Sequence, residues 1–332
     1  MTVTNDSILE KFSRKIVIYP SFERAYQQLE RAQRATELRG VPSCAMLVGP
    51  AGVGKSKLCR LFGASFGKNR TLIDEQGKTR CRPVFYCTVP APVTIKGFQK
   101  TILTRLGHPD ASGDSADLTY EVIQAIKTAR IGVIIFDEFQ RLTKPSAVST
   151  RQLTIDWIVA LLGEIKIQII IAGTPECRTL LDDKPLARRY PYLATLDFLS
   201  FAEREDSEFT QTLRGLDDAM YDIADLNPGV HFQDMSISLP LYVATSGNLE
   251  YLRQILYFAL DVCLSRNGRE LQRSDFAMAC NFLSLEENLL RTINPFDQSP
   301  ATCMRAVKRY EEAKRKEAQA AEAAIRSFTV GE

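Results

Sequence analysis

The sequence predicts an α/β protein in which a five-stranded parallel sheet is followed by a smaller helical domain. Between residues 44 and 200, short apolar runs alternate with amphipathic stretches of helical periodicity. A glycine-rich loop joins the first apolar run to the first helical stretch, and after residue 201 only helical patterns remain. Alternation of this kind is typical of a parallel sheet that is covered by helices on both faces.

Five apolar runs have the length and continuity of buried strands. They are CAMLVG (44–49), PVFYCTV (83–89), IGVIIFD (131–137), IQIIIAG (167–173) and LATLDF (193–198). The segments between them predict helices at KSKLCRLFGASF, IKGFQKTILTRLG, LTYEVIQAIKTAR and RQLTIDWIVALLGEI. Residues 44–200 are therefore expected to form the core domain.

The flanking sequence predicts three further parts of the chain. Residues 1–43 are an N-terminal segment whose helix, YPSFERAYQQLERAQRATELRG, delivers the chain to the first strand. Residues 201–285 form the helical domain, and residues 286–332 form a charged tail. This tail is an exposed helix or is partly disordered, because its many charged residues leave little apolar face. It either docks a partner protein or only increases solubility.

The composition is that of an ordinary globular protein, with 45% hydrophobic residues in a chain of 332. Lysine and arginine total 42 against 40 acidic residues, so a nucleic-acid contact must come from a local basic patch.

The eight cysteines form no C-x-x-C pair and the two histidines stand apart, which argues against zinc and favours reduced thiols. No apolar run approaches ~18 residues, so we expect a cytoplasmic protein without a membrane span.

The segment GPAGVGKS, from Gly49 to Ser56, matches the pattern G-x-x-x-x-G-K-[ST] between a predicted strand and a predicted helix. In such a loop glycines bring backbone N–H groups close to phosphates, Lys55 reaches the terminal phosphates and Ser56 binds Mg²⁺. The predicted nucleotide contacts are Gly49, Pro50, Ala51, Gly52, Val53, Gly54, Lys55, Ser56 and Lys57. The alternative is a glycine turn without a ligand.

Two adjacent acids, Asp137 and Glu138, close the apolar strand in VIIFDE. An aspartate at the carboxyl end of a strand can hold Mg²⁺, and the following glutamate can orient and polarise an attacking water. A pair of acids also occurs as an ordinary loop start. Its position downstream of a phosphate loop favours the catalytic interpretation.

Polar residues also follow the fourth strand and precede the fifth. Thr174, in IIIAGTPE, can sense a terminal phosphate or position water, and it equally suits the N-cap of the next helix. Arg188 and Arg189 stand side by side in LARRYP. Adjacent arginines usually form a solvated turn, and a nucleic-acid contact is the second interpretation.

The chain resembles an AAA+ ATPase in the order of its features. These are the phosphate loop, the acid pair, the polar strand end, the arginine pair and the helical domain. More narrowly, the chain resembles the TnsC/TniB group of transposition ATPases over roughly residues 15–280. The stretches that carry the narrower resemblance are YPSFERAYQQLERA, VPAPVTIKGFQKTILTRLG, FDEFQRL, AGTPECRTLLDDKPLARRYP, FLSFAEREDSEFTQTLRGLDDAM and TSGNLEYLRQILYFALDVCLSRNG.

The resemblance implies a P-loop core with a helical lid, ATP and Mg²⁺ as cofactors, and ATP-dependent rings or filaments around double-stranded DNA. Such assemblies link a target-selection protein to a transposase, and hydrolysis remodels or disassembles them. By position, Lys55 and Ser56 become the Walker A pair, Asp137 and Glu138 the Walker B pair, and Thr174 sensor 1. Arg189 becomes the finger that reaches a neighbour's γ-phosphate, with Arg188 as a second finger or interface support.

One departure from the family pattern concerns the helical lid. Many relatives place a sensor-2 arginine three residues after a lid glycine, but here Glu250 stands three residues after Gly247. Arg253, one turn further along the predicted helix, is the substitute that could contact the nucleotide.

A ring around a duplex would present basic residues to its phosphates. Lys96 and Lys100 open the helix after the second strand, while Arg141, Lys144 and Arg151 flank the segment TKPSAVST. These five residues are the predicted DNA contacts. Each of them equally suits an ordinary solvated surface.

Two other functions share these motifs. One is another DNA-associated AAA+ role, such as a helicase loader or an initiator-like factor. The other is a nucleotide-gated scaffold or defence switch with little turnover. Glu138 and the arginine pair argue against a pure switch, which has less use for a water-activating acid.

Overall fold

The chain folds into two compact units. The computed structural model describes residues 4–74, 77–91, 94–142, 148–202 and 207–329. One unit is Pro20–Asp197, and the other joins the residues up to Tyr19 with those from Phe198 onward. All strands of the described residues lie in the first unit.

Five parallel strands form the main sheet. In chain order the strands are β1 Ala45–Val48, β2 Arg70–Asp74, β3 Gly77–Cys81, β4 Val84–Thr88, β5 Val133–Asp137, β6 Gln168–Gly173 and β7 Tyr192–Thr195. The sheet has the order β4-β5-β6-β1-β7, and every neighbouring pair is parallel. Every residue of β1, β5 and β6 is buried, so both faces of the sheet are covered. The predicted fold class and its five strands are confirmed.

The second sheet is an antiparallel hairpin of β2 and β3, in which Arg70 pairs with Cys81 and Asp74 with Gly77. The apolar runs do not predict this hairpin. Its strands, RTLID and GKTRC, carry charged residues instead of a continuous apolar stretch, so the strongest sequence signal for a buried strand is missing.

Helices connect and cover the strands, and they also build the second unit. In chain order the α-helices of the described residues are α1 Asn5–Arg14, α2 Pro20–Arg39, α3 Lys55–Ala64, α4 Ile95–Leu106, α5 Ser115–Thr128, α6 Val148–Glu164, α7 Lys184–Ala187, α8 Glu208–Ala224, α9 Met235–Thr245, α10 Leu249–Ser265, α11 Arg273–Phe282 and α12 Pro300–Thr329. Local caps explain several ends. Thr94 accepts the Gly97 N–H where α4 begins, and Asp114 forms a capping box with Asp117 on α5.

An aromatic cluster fixes the strand that carries the acid pair. Phe98 of α4 lies 5.0 Å from Phe136 of β5 and 5.7 Å from Trp157 of α6, measured between ring centroids. All three side chains are buried. Because Phe136 immediately precedes Asp137, this packing holds the carboxyl end of β5 in place.

The second unit is helical. α1 packs against α8 and α10 and buries Leu9 and Phe12. α9 is buried at every residue from Ile237 to Thr245, which explains why no amphipathic period predicts it. These contacts group α1 with the C-terminal helices, whereas the sequence places it in one segment with α2.

The charged tail forms an α-helix, α12, over Pro300–Thr329. The first turns of α12 pack on α9 and bury Cys303 and Val307, while residues 312–320 are exposed. All eight cysteines of the chain are buried as free thiols. Among the described helices, none is both long enough and apolar enough to cross a bilayer.

Candidate functional site

The glycine loop, residues 49–54, joins β1 to α3, and the predicted contacts Lys55, Ser56 and Lys57 lie in the first turn of α3. Gly52 and Gly54 have φ angles of 81° and 92°, a left-handed conformation that glycine adopts without strain. A Cβ on Gly49 would lie 2.2 Å from the carbonyl oxygen of Leu196, so a larger residue does not fit there. The loop leads into the N-terminus of α3 at Lys55, where helix N–H groups and the helix dipole favour an anion. The backbone therefore has the shape that phosphate binding requires.

Lys55 is buried against this loop. Its Nζ donates to the carbonyl oxygens of Gly49 at 2.8 Å and Pro50 at 2.6 Å. Burial lowers the pKa of Lys55, and the nearby carboxylates of Asp137 and Glu138 act in the opposite direction. The loop thus holds a cation next to the acid pair.

Asp137 lies at the carboxyl end of β5 with its side chain almost fully buried. The Ser56 hydroxyl donates to its Oδ2 at 2.6 Å, and the Tyr86 hydroxyl donates to the same oxygen. Burial, followed by the hydrogen bond to Asp137, raises the pKa of Tyr86. The Arg60 guanidinium lies 5.5 Å from the Tyr86 ring centroid. Ser56 and Asp137, predicted as the Mg²⁺ ligands, are therefore in direct contact.

Glu138 follows in a left-handed backbone conformation with φ of 59°. Its N–H donates to Asp137 Oδ1 at 2.9 Å. Its Oε2 accepts a hydrogen bond from Gln140 Nε2 at 2.9 Å and lies 3.7 Å from Arg141 Nη2. About one third of the Glu138 side chain is exposed, so water can reach the carboxylate.

Thr174 lies directly after β6, beside the acid pair. Its backbone N–H donates to Gln140 Oε1 at 3.3 Å. Thr174 is the N-cap residue of the 3-10 helix Pro175–Asp182, yet its side chain makes no capping hydrogen bond. The side chain instead bonds the carboxylate of Glu176, which lowers the pKa of Glu176.

The arginine pair lies between α7 and β7. Arg188 is exposed, and Arg189 Nη1 donates to the carbonyl oxygen of Pro185 at 3.1 Å. The Arg189 backbone is fixed, because its carbonyl oxygen accepts the Cys44 N–H at 2.7 Å and Tyr190 is buried. Within the described residues, neither guanidinium bonds to the glycine loop or to the acid pair of the same chain.

The basic residues predicted to contact DNA occupy different environments. Lys96 and Lys100 are exposed on α4. Arg141 donates to the Val89 carbonyl oxygen at 2.6 Å besides facing Glu138. Arg151 donates to the Thr179 carbonyl oxygen and lies 3.7 Å from Asp182. Lys144 lies outside the described residues.

Arg253, the substitute for sensor 2, lies on α10 in the helical unit. Its guanidinium donates to the carbonyl oxygens of Phe12 at 3.3 Å and Ser13 at 2.8 Å, at the end of α1. Burial lowers its pKa. Gly247 has φ of 81°, and its Cβ would lie 2.0 Å from the Leu199 carbonyl oxygen, so chain packing already requires a glycine there.

Three side chains of this site were not among the sequence predictions: Tyr86, Gln140 and Glu176. Tyr86 lies two residues before the end of β4, where strand alternation puts it on the same face as Thr88. Gln140 lies two residues after Glu138 in the segment FDEFQRL. Gln140 is close to the acid pair in sequence whereas Tyr86 is not, and for both residues only the tertiary structure shows what the polar group binds.

The donors in this site fit ATP with Mg²⁺. The glycine loop and Lys55 supply the N–H groups and the cation that phosphates require. Ser56 and Asp137 supply a hydroxyl and a carboxylate oxygen, and Mg²⁺ prefers such hard ligands alongside phosphate oxygens. Glu138 has a partly exposed carboxylate next to them.

Sheet order, glycine loop and acid pair together define a P-loop protein of the AAA+ ATPase class. The chain belongs to the TniB family, whose model, described as Bacterial TniB protein, matches residues 9–198. The comparison with curated proteins gives no match.

Solved structures share this fold at low sequence identity. The chain is similar to the Aeropyrum pernix ORC2 protein in ADPNP–ADP complexes, with a TM-score of 0.57 and 12% identity over 81% of this chain and 71% of that chain. It is similar to the A. pernix ORC1 protein in complex with DNA, with a TM-score of 0.55 and 17% identity over 82% of this chain and 67% of that chain. It is also similar to Cdc6p from Pyrobaculum aerophilum, with a TM-score of 0.53 and 14% identity over 83% of this chain and 70% of that chain.

Proposed function

We propose that this protein hydrolyses ATP with Mg²⁺ and assembles with ATP into a ring or filament on double-stranded DNA. In this proposal the assembly links a target-selection protein to a transposase in the cytoplasm, and hydrolysis remodels or disassembles it. The observation that carries the proposal is the single hydrogen-bonded group formed by Ser56 in the first turn of α3, Asp137 and Glu138.

Each part of the site has a distinct chemical task in this proposal. The loop N–H groups and Lys55 bind the phosphates, and Lys55 exchanges the carbonyl oxygens of Gly49 and Pro50 for phosphate oxygens. Mg²⁺, held by Ser56 and Asp137, would neutralise charge on the phosphates. Glu138 orients a water and takes its proton.

The finger is proposed to come from another copy of the chain. Arg189, with Arg188 beside it, would stabilise negative charge that develops on the phosphate bound by its neighbour. The absence of a bond between these guanidinium groups and the described acid pair of their own chain supports this arrangement. Hydrolysis should therefore depend on assembly.

The DNA-associated and transposition parts rest on membership of the TniB family. The exposed side chains of Lys96 and Lys100 on α4 support a backbone contact that does not read sequence. The buried free thiols suit a reducing compartment.

Steady-state ATPase assays with and without duplex DNA test the proposal, with Glu138→Gln as the matched variant. We expect the wild type to turn over ATP and the variant to lose about 10²-fold or more in kcat while it still binds ATP and stays on DNA. Absence of turnover by the wild type under both conditions would refute the enzymatic function. Normal hydrolysis by Glu138→Gln would remove Glu138 from its role.

A further inference from the structure

We propose that Gln140 is a positioning residue that ties the carboxylate of Glu138 to the carboxyl end of β6. This connection fixes the distance and orientation between the Glu138 carboxylate and Thr174. The inference rests on the proposed ATPase function, because positioning Glu138 matters only if this residue activates water. Neither the glycine-loop motif nor the acid pair assigns a role to Gln140.

The side-chain amide of Gln140 makes two bonds of opposite kind. Its Nε2 donates to Glu138 Oε2 at 2.9 Å, and its Oε1 accepts the Thr174 N–H at 3.3 Å. A carboxylate only accepts and an ammonium only donates, whereas an amide does both. Gln140 therefore bridges two segments that are far apart in sequence.

The surroundings are shaped around this amide. A Cβ on Gly173 would lie 2.7 Å from Gln140 Oε1 and 2.5 Å from Cys177 Sγ, so the last residue of β6 leaves the space that the amide uses. The backbone of Gln140 lies in the 3-10 helix Phe139–Leu142, whose two end residues are fully buried. The backbone of Gln140 is therefore held in place, and its side-chain amide occupies the space that the missing Cβ of Gly173 leaves open.

On the other side of the bridge, Glu138 needs support. Its φ of 59° is unfavourable for a residue with a side chain, and such strain persists only where neighbouring contacts hold it. Gln140 and Arg141 both face Oε2, which leaves Oε1 as the oxygen that can take a proton from water. Fixing one carboxylate oxygen in this way orients the other.

Three variants separate the two halves of the bridge. Gln140→Glu keeps an acceptor for the Thr174 N–H but loses the donor to Glu138. Gln140→Lys keeps a donor for Glu138 but loses the acceptor, and Gln140→Ala loses both. Gln152→Ala is the matched control, because Gln152 also donates to a carboxylate, that of Asp156 at 3.0 Å, on the exposed face of α6.

We expect all three Gln140 variants to lower kcat about tenfold. Gln140→Glu and Gln140→Ala lose the hydrogen bond to the charged Glu138, and Gln140→Lys loses the bond to Thr174 that holds its donor in place. KM for ATP and the affinity for a non-hydrolysable ATP analogue should stay within about twofold, and the control should match the wild type. Amide hydrogen exchange at Thr174 should speed up in Gln140→Ala and Gln140→Lys and stay slow in Gln140→Glu.

An unchanged kcat in Gln140→Lys would overturn the bridge, since the donor alone would then suffice. Loss of analogue binding in parallel with kcat would make Gln140 a structural residue. If the wild type itself shows no ATPase activity, the proposed function fails. In that case exchange at Thr174 still decides whether the bridge exists, and equal exchange in all variants would refute it.

Discussion

Asp137 gathers three hydrogen-bond donors on one buried carboxylate. Ser56 and Tyr86 both donate to Oδ2, and the Glu138 N–H donates to Oδ1. Donors of this kind satisfy a buried charge that would otherwise be costly. The carboxylate is therefore held beside the Ser56 hydroxyl, and these two groups would hold Mg²⁺.

Two glycine-to-alanine substitutions should have opposite effects. Gly49→Ala places a Cβ 2.2 Å from the Leu196 carbonyl oxygen, and such overpacking typically costs about 1–3 kcal/mol. Gly163→Ala, on the exposed side of α6 with nothing near its Cβ, should stabilise by roughly 0.5 kcal/mol through helix propensity. Urea unfolding checks both values, and a Gly49→Ala protein of wild-type stability would contradict the close approach of the loop to Leu196.

At the scale of elements, arginines expected to meet ligands hold helices together in this chain. Arg253 of α10 donates to the end of α1, and Arg151 of α6 faces Asp182 and the Thr179 carbonyl oxygen. Bonds to backbone carbonyl oxygens fix where one element lies against another. The same guanidinium groups have fewer donors left for a nucleotide or for DNA.

Arg253→Ala should loosen α1, because it removes two hydrogen bonds to carbonyl oxygens of that helix. We expect faster amide exchange over residues 5–14 and an ATP affinity within about twofold of wild type. Arg269→Ala, which removes an exposed ion pair with Asp225, is the control and should leave this exchange unchanged. A large loss of ATP affinity with unchanged exchange would instead favour the sensor-2 role.

Lys96 and Lys100 lie one turn apart on the exposed side of α4. If both contact phosphates, the double variant Lys96→Ala/Lys100→Ala should weaken duplex binding equally for unrelated sequences. It should also reduce the slope of log K against log salt by about 0.9 per lost contact. Lys166→Ala, an exposed lysine after α6, is the control. An unchanged slope in the double variant would place the DNA path elsewhere.

For the whole molecule, the proposed role of the arginine pair would make catalysis a property of several chains. Arg189 has a backbone that is fixed by the Cys44 N–H beside β7, an edge strand of the sheet, and its guanidinium donates to the nearby Pro185 carbonyl oxygen. An edge strand is a place where a second copy can approach. A complete site would then need the loop and acid pair of one copy and the arginine of another.

Mixing two inactive variants tests this directly. Arg189→Ala should bind ATP but lose about 10³-fold or more of its turnover, as for loss of an arginine finger. Glu138→Gln should also be inactive. Mixed together, they should recover activity, because a site between an intact Glu138 and an intact Arg189 can form. Failure to recover activity in mixed assemblies, or turnover that does not vary with protein concentration, would contradict the shared site.

Motif chemistry could be predicted from short stretches of sequence. Glycine spacing, Lys55 and Ser56 are consecutive along the chain, and the acid pair ends an apolar strand, so periodicity and local pattern suffice to find them. The five-stranded sheet follows from its continuous apolar runs. The charged hairpin β2–β3 and helix α9, which is buried from Ile237 to Thr245, could not be predicted in this way, because neither shows the apolar periodicity that the prediction depends on.

The sequence alone determined the class of fold, the phosphate loop and the acid pair, because each is encoded by residues that are neighbours in the chain. Only the tertiary structure decided their partners: Tyr86 on Asp137, Gln140 between Glu138 and Thr174, and Arg253 on α1. These bonds join segments from different strands and helices. Which segments meet depends on strand order and packing, and a hydrogen bond between distant residues leaves no periodic pattern in a single sequence.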